Sequence, residues 1–180
     1  MSLVSSIFSF DPHVDAWRSK ESLRLAKQLC NASQFLRGLR VQMRFGELTR
    51  APLRLLRLHV LEEVVECDWL ARAPDPWDAG LSRNVRQRHG SLQALKDAID
   101  VRALLFDLMP QVETAYFRVY RESSDFAREM IVRGYVQRND NCSRDVHSLV
   151  MRAKVLGFHF NLENDILCGF PTEEQICVGG

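Results

Sequence analysis

The side chains of this sequence with the greatest chemical reach are five histidines (His13, His59, His89, His147, His159) and five cysteines (Cys30, Cys67, Cys142, Cys168, Cys177). Metal ligation needs several such groups converging at a fixed spacing. No two histidines stand at helical spacing, HExxH is absent and no cysteines form a C-x-x-C pair, so no metal site is predicted. His59-Val60-Leu61-Glu62 is half of a metal motif only if its segment is helical. His59, Cys67 and Asp68 suggest a Cys–His nucleophile, which requires thiol and imidazole to share one face. Asp75 and Asp78 flank Trp77 and are the candidate carboxylate pair of a pocket loop, against the plainer reading of an aspartate-rich turn. Phosphate-cradling loops of the forms G-x-x-x-x-G-K-[ST] and G-x-G-x-x-G are absent, as is a G-x-S-x-G elbow. No catalytic residue and no cofactor is assigned, and the reading leans away from an enzyme.

Arginine carries the stronger signal. It outnumbers lysine by 20 to 4, and its planar fork of donors suits carboxylates and phosphates. Codon bias is the plainer source of that excess. Arginine also alternates with tyrosine where the sequence has a period of two. Arg44 with Gln42, Arg57 with His59, Tyr116, Arg118 and Tyr120, and Arg133, Tyr135 and Gln137 should project from one side of a sheet. Such a face either stacks bases and neutralises phosphates or anchors a protein partner, since tyrosine and arginine bury large areas while keeping polar ends. Arg133-Gly134-Tyr135 matches the first three positions of the RNP1 pattern of RNA-recognition motifs, but Val136 and Gln137 depart from it. Leu55, Leu70 and Ile131 are expected as apolar anchors on the same side.

These positions require strands, and the strands require helices to cover their other side. Asp11-Pro12 opens a helix whose apolar residues Leu25, Leu29, Ala32, Leu36 and Leu39 recur at steps of three and four, with Gly38 as its stop. A second helix starts near Ser91, after Gly90, and ends before Pro110. A third is capped by Ser143, carries Asp145 in its first turn and Arg152 and Lys154 in its last, and ends at Gly157. Val41, Met43 and Phe45 read as a strand, as do Ala115 to Tyr120, Met130 to Gln137 and the short Phe158-His159-Phe160. The segment Leu53–Ala73 has helix-forming composition. Folded back at Glu62-Glu63, however, it pairs residues whose numbers sum to 125. Val60 then meets Val65, Leu58 meets Cys67 and Leu56 meets Trp69 on an apolar face, while His59 meets Glu66 and Arg57 meets Asp68 on a charged one. The hairpin is the prediction.

The resulting order, α-β-β-β-α-β-β-α-β, predicts an α+β fold: an antiparallel sheet with about three helices on one face. The 180 residues are read as one domain, with a subdomain break at 73–90 as the alternative, because Ala73–Gly80 is proline-rich and Ser82–His89 is a polar, basic connector. Twenty-four basic residues against 23 acidic ones exclude a diffuse polycation but not a local patch. No apolar run approaches the roughly 18 to 20 residues that span a bilayer, the first residues lack the pattern of a signal peptide, and scattered cysteines suit a reducing cytoplasm. The predicted function is a cytoplasmic, non-enzymatic interaction module that self-associates, or holds a protein partner, through Arg44, Arg57, Tyr116, Arg118, Tyr120, Arg133 and Tyr135. Nucleic-acid binding by the same face is one alternative, and a small-molecule pocket near Asp75, Trp77 and Asp78 is another.

Overall fold

The computed structural model describes residues 12–42, 53–122, 127–140 and 146–171. Its architecture is α+β. Helix α1 (Pro12–Gln42) leads to a hairpin of β1 (Arg54–Leu61) and β2 (Val64–Leu70). Helix α2 (Arg83–Leu108) follows, then β3 (Thr114–Glu122), β4 (Arg128–Gln137), the short helix α3 (Leu149–Val155) and β5 (Phe158–His159). Strands β1 to β5 form one sheet in that order, and β6 (Asn161–Glu163) pairs with β7 (Ile166–Cys168) as a separate ribbon.

The β1–β2 hairpin has the register read from the sequence: Val60 opposite Val65, Leu58 opposite Cys67, His59 opposite Glu66 and Arg57 opposite Asp68. Its turn is at Glu62-Glu63, where Glu62 takes a left-handed backbone (φ 49°) without being a glycine. Arg24 of α1 bonds the Glu62 carboxylate at 2.7 Å. A bulge at Leu56 shifts the register, so Leu55, not Leu56, faces Trp69. Because side chains alternate with a period of two, that single insertion turns Leu55 from the open side to the helical one. A second bulge between Val119 and Tyr120 does the same to Ile131, which joins the core. Leu70 is likewise buried, so none of the three expected anchors is offered to solvent as a free apolar side chain.

The sheet is mixed, not wholly antiparallel. β2 and β3 run parallel, while the other pairs are antiparallel. Helix α2 carries the chain back across the sheet, as a parallel pair requires. Its first two turns comprise most of the stretch expected as a basic connector, since α2 begins at Arg83 and passes through Gly90. Helix α1 likewise runs past Gly38 to Gln42, so Val41 and Gln42 are helical, whereas Met43, Arg44 and Phe45 lie outside the described residues. Gly38 is a point of close approach: a Cβ there would lie 2.9 Å from a methyl of Leu108 and 3.1 Å from one of Leu104. Helix α1 meets α2 through this C-terminal part, where Phe35 and Leu39 are buried, while Leu25, Leu29 and Leu36 stay exposed. Helix α3 is capped by Ser148, whose hydroxyl accepts from the Met151 N–H, and not by Ser143, which like Asp145 lies outside the described residues. Its C-cap is Leu156, followed by Gly157, where φ is +86° and a Cβ would stand 2.5 Å from the Tyr135 carbonyl oxygen.

The core lies between the helices and one side of the sheet. Val65, Cys67 and Trp69 of β2, Ala115, Phe117 and Val119 of β3, and Val132 and Val136 of β4 are buried against α2 residues such as Leu95, Ala98, Val101 and Leu105. Trp69 meets Phe117 edge-on at 5.6 Å, and Phe117 stacks on Phe158 at 5.8 Å. The Phe158 ring lies over Gly134, where a Cβ would come within 2.7 Å of it. Arg138 closes the C-terminal end of α2 by donating to the carbonyls of Phe106 and Met109.

Candidate functional site

Across β1 to β5, the side of the sheet away from the core forms two rows. One runs His59, Glu66, Tyr116, Tyr135, and the other Arg57, Asp68, Arg118, Arg133, His159. Strand alternation on five strands puts these side chains together, and the antiparallel pairs at each end fix their lateral register. Tyr116 and Tyr135 are 43% and 48% exposed, and their rings lie 5.0 Å apart at 51°. Around them, Glu66, Arg118, Met130, Arg133 and His159 outline a hollow of about 450 Å³. Tyr120 stands opposite Met130 at the end of the face, half-buried.

The charges on this face are largely matched. The Arg118 Nε–H donates to Asp68 at 2.8 Å and its terminal nitrogen donates to Glu66 at 3.0 Å, while Arg57 reaches the same Glu66 carboxylate at 3.1 Å. The bond to Asp68 holds the Arg118 guanidinium above its ordinary pKa and outweighs the opposing effect of burial. Arg118 is thus engaged within the protein. Arg133 lies over the Phe170 ring at 4.8 Å, a cation–π contact that leaves its charge outward. Among the predicted residues, Arg57, Tyr116, Arg118, Arg133 and Tyr135 come together here; Tyr120 is peripheral, and Arg44 lies outside the described residues. Met130, His159 and Phe170 were missed. His159 was visible as part of a short strand, but Phe170 reaches the face only because its N–H donates to the Met130 carbonyl, a long-range pairing with no local pattern.

Of the other sequence-predicted constellations, Cys67 and His59 are split between the two sides of the β1–β2 hairpin, while Asp75, Trp77 and Asp78 line one hollow. Cys67 lies wholly within the core, where burial pushes its thiol pKa up, and His59 projects from the opposite side of the same hairpin. Asp75 accepts from the Trp77 N–H at 3.0 Å and caps a short 3₁₀ helix, Pro76–Gly80. Asp78 lies 3.2 Å from the His89 ring nitrogen. Trp77 is largely exposed beside a hollow of about 390 Å³ that also touches His89, Gln93 and Lys96. Both carboxylates thus have local partners that shape the turn. Among the described residues no three His, Cys, Asp or Glu side chains gather as a metal site would need, and no helix is long and apolar enough to cross a membrane. Comparison of the chain with protein-family models, with curated proteins and with solved structures found no match.

Proposed function

We propose that the protein is a non-enzymatic interaction module that self-associates through the Arg/Tyr face of its sheet. One observation carries this reading: the charge is distributed unequally about the tyrosine pair. Acidic Glu66 and Asp68 lie on the β2 side, and outward Arg133 and His159 lie on the β4–β5 side. A face that binds its own copy must be self-complementary about a two-fold axis. An axis running along β3 sets β4 of each copy opposite β2 of the other, so that Arg133 faces Asp68 and Tyr135 faces Glu66, with Tyr116 on the axis. The two copies of Tyr116 then meet at the centre, where amphipathic aromatic rings contribute most. Internal pairing of Arg118 supports this reading over nucleic-acid binding, which needs surplus cations to displace counterions from phosphates.

Light scattering across a concentration series tests it. The expected mass rises to twice 20.8 kDa, and Arg133→Glu returns it to the monomer by setting like charges against each other. A monomeric mass throughout removes the reading. So does association that survives Arg133→Glu but is lost with Leu25→Glu and Leu29→Glu, which would move the interface to the exposed side of α1.

A further inference from the structure

On the helical side of the sheet, a cavity of about 520 Å³ opens where the first two turns of α2 cross the ends of β2 and β3 and the bulge of β4. Its walls continue the two stripes that build the core. Along α2, Ala94, Ala98, Val101 and Leu105 face the sheet, and by helical periodicity the same side carries Arg83, Arg86, Gln87 and Gly90 one to three turns earlier. Along β3, buried Ala115, Phe117 and Val119 are followed in the alternation by Arg121. Both apolar stripes therefore change to arginine at the same end of the molecule, around a space of ligand size.

These arginines are not equivalent. Arg121 is held by Glu129 at 2.6 Å and by the Leu167 carbonyl at 3.1 Å. Arg83 and Arg86 have no carboxylate partner among the described residues, and the first turn of α2 contains no acidic residue. Cations at the N-terminal end of a helix oppose its dipole, an arrangement that a bound anion would offset. Gly90 supplies a separate observation. It interrupts a helix, where glycine is disfavoured, yet a Cβ there would meet nothing within 4 Å. Packing does not demand that glycine, and its missing side chain leaves the cavity open.

We propose that this cavity binds a small molecule bearing a phosphate monoester, with the anion between Arg83 and Arg86 and the body against Leu70, Ala71 and Ile131. A phosphate monoester carries close to two negative charges at neutral pH, which matches two unpartnered guanidinium groups. The volume exceeds what a bare anion fills, and the apolar wall suits an organic body. No residue of the tyrosine face takes part, so this site and self-association stand or fall separately.

Calorimetric titration of the full chain with AMP and with ribose 5-phosphate, against adenosine at matched ionic strength, tests the assignment. Saturable binding of a phosphate probe and none of adenosine is expected. Arg83→Gln with Arg86→Gln weakens it by at least ~10-fold, as loss of charge-assisted hydrogen bonds does, with the circular dichroism spectrum unchanged. Gly90→Leu, which occupies the space, abolishes binding, whereas Gly90→Ala leaves most of it. Failure of both phosphate probes to saturate overturns the proposal, as does binding that both the arginine and Gly90→Leu variants retain. Binding of single-stranded RNA with steep salt dependence, where the small phosphates do not bind, overturns it in favour of a nucleic-acid surface.

Discussion

Arg118 on the open face and Arg86 beside the cavity are the same residue type in opposite electrostatic states. Arg118 is clamped by Asp68 and Glu66 across neighbouring strands, whereas no carboxylate of the described residues pairs with Arg86. An arginine count therefore says little about electrostatic function. What matters is whether the fold brings an acid to each guanidinium. Neutralised arginines stiffen a surface and tune its complementarity; unmatched ones beside a cavity ask for an anion from outside.

The largest effect is expected where neutralisation goes furthest. Arg72 and Asp97 pair at 2.8 Å with side chains only 6% and 2% exposed, and Gln93 donates to the other carboxylate oxygen at 2.7 Å. Asp97→Asn removes the negative charge that faces buried Arg72 and should cost about 3–5 kcal/mol in urea unfolding at neutral pH. Burial also holds the Asp97 carboxyl above its ordinary pKa, despite the attraction of Arg72. The native state thus retains its proton more tightly than the unfolded chain does, so this group adds stability as pH falls and loses it as pH rises through the raised value. The wild type should gain stability relative to Asp97→Asn when unfolding is repeated at pH 5. An equal gap at both pH values would contradict that direction.

Next in size is the tyrosine pair. Replacing Tyr116 and Tyr135 together by alanine should weaken self-association by about 2 kcal/mol, a typical loss for central aromatic contacts, read as a shift in the concentration at which the mass doubles. A direct attempt to erase the contrast comes third. Glu66→Gln with Asp68→Asn frees Arg118 and should cost about 1–2 kcal/mol of stability, discounted because the guanidinium is partly exposed. In exchange the variant should be retained more strongly on heparin than the wild type, in a salt-sensitive way. If that variant gains no anion affinity, pairing is not what separates the two regions. The smallest effect concerns the cavity wall. Gly90→Ala should raise stability by about 1 kcal/mol, because helix propensity improves and no atom is displaced. A loss instead would mean that the space beside Gly90 is filled.

How much of this was legible depended on the range of the forces involved. The β1–β2 register could be read residue by residue, because a tight turn and a period of two leave few ways to make one face apolar and match charges on the other. Alternation along β3 identified Tyr116 and Arg118 in the same way. Ser82–His89 was misread as a connector for a physical reason: α2 has polar Arg83, Arg86 and Gln87 on its inward side there, facing a cavity, so the apolar signal of a helix was missing. The cavity arginines were hidden by the feature that makes them a candidate site.

By itself the sequence determined the α+β class, the hairpin with its turn at Glu62-Glu63, and the identity of the outward residues on β3 and β4. These follow from local periodicity and from pairing between close neighbours. Only the tertiary structure decided that β2 and β3 run parallel, that bulges carry Leu55 and Ile131 to the core side, and that Arg118 meets acids on β2 fifty residues earlier. Those outcomes depend on how α2 crosses the sheet, and a non-local contact leaves no period in the chain from which to read it.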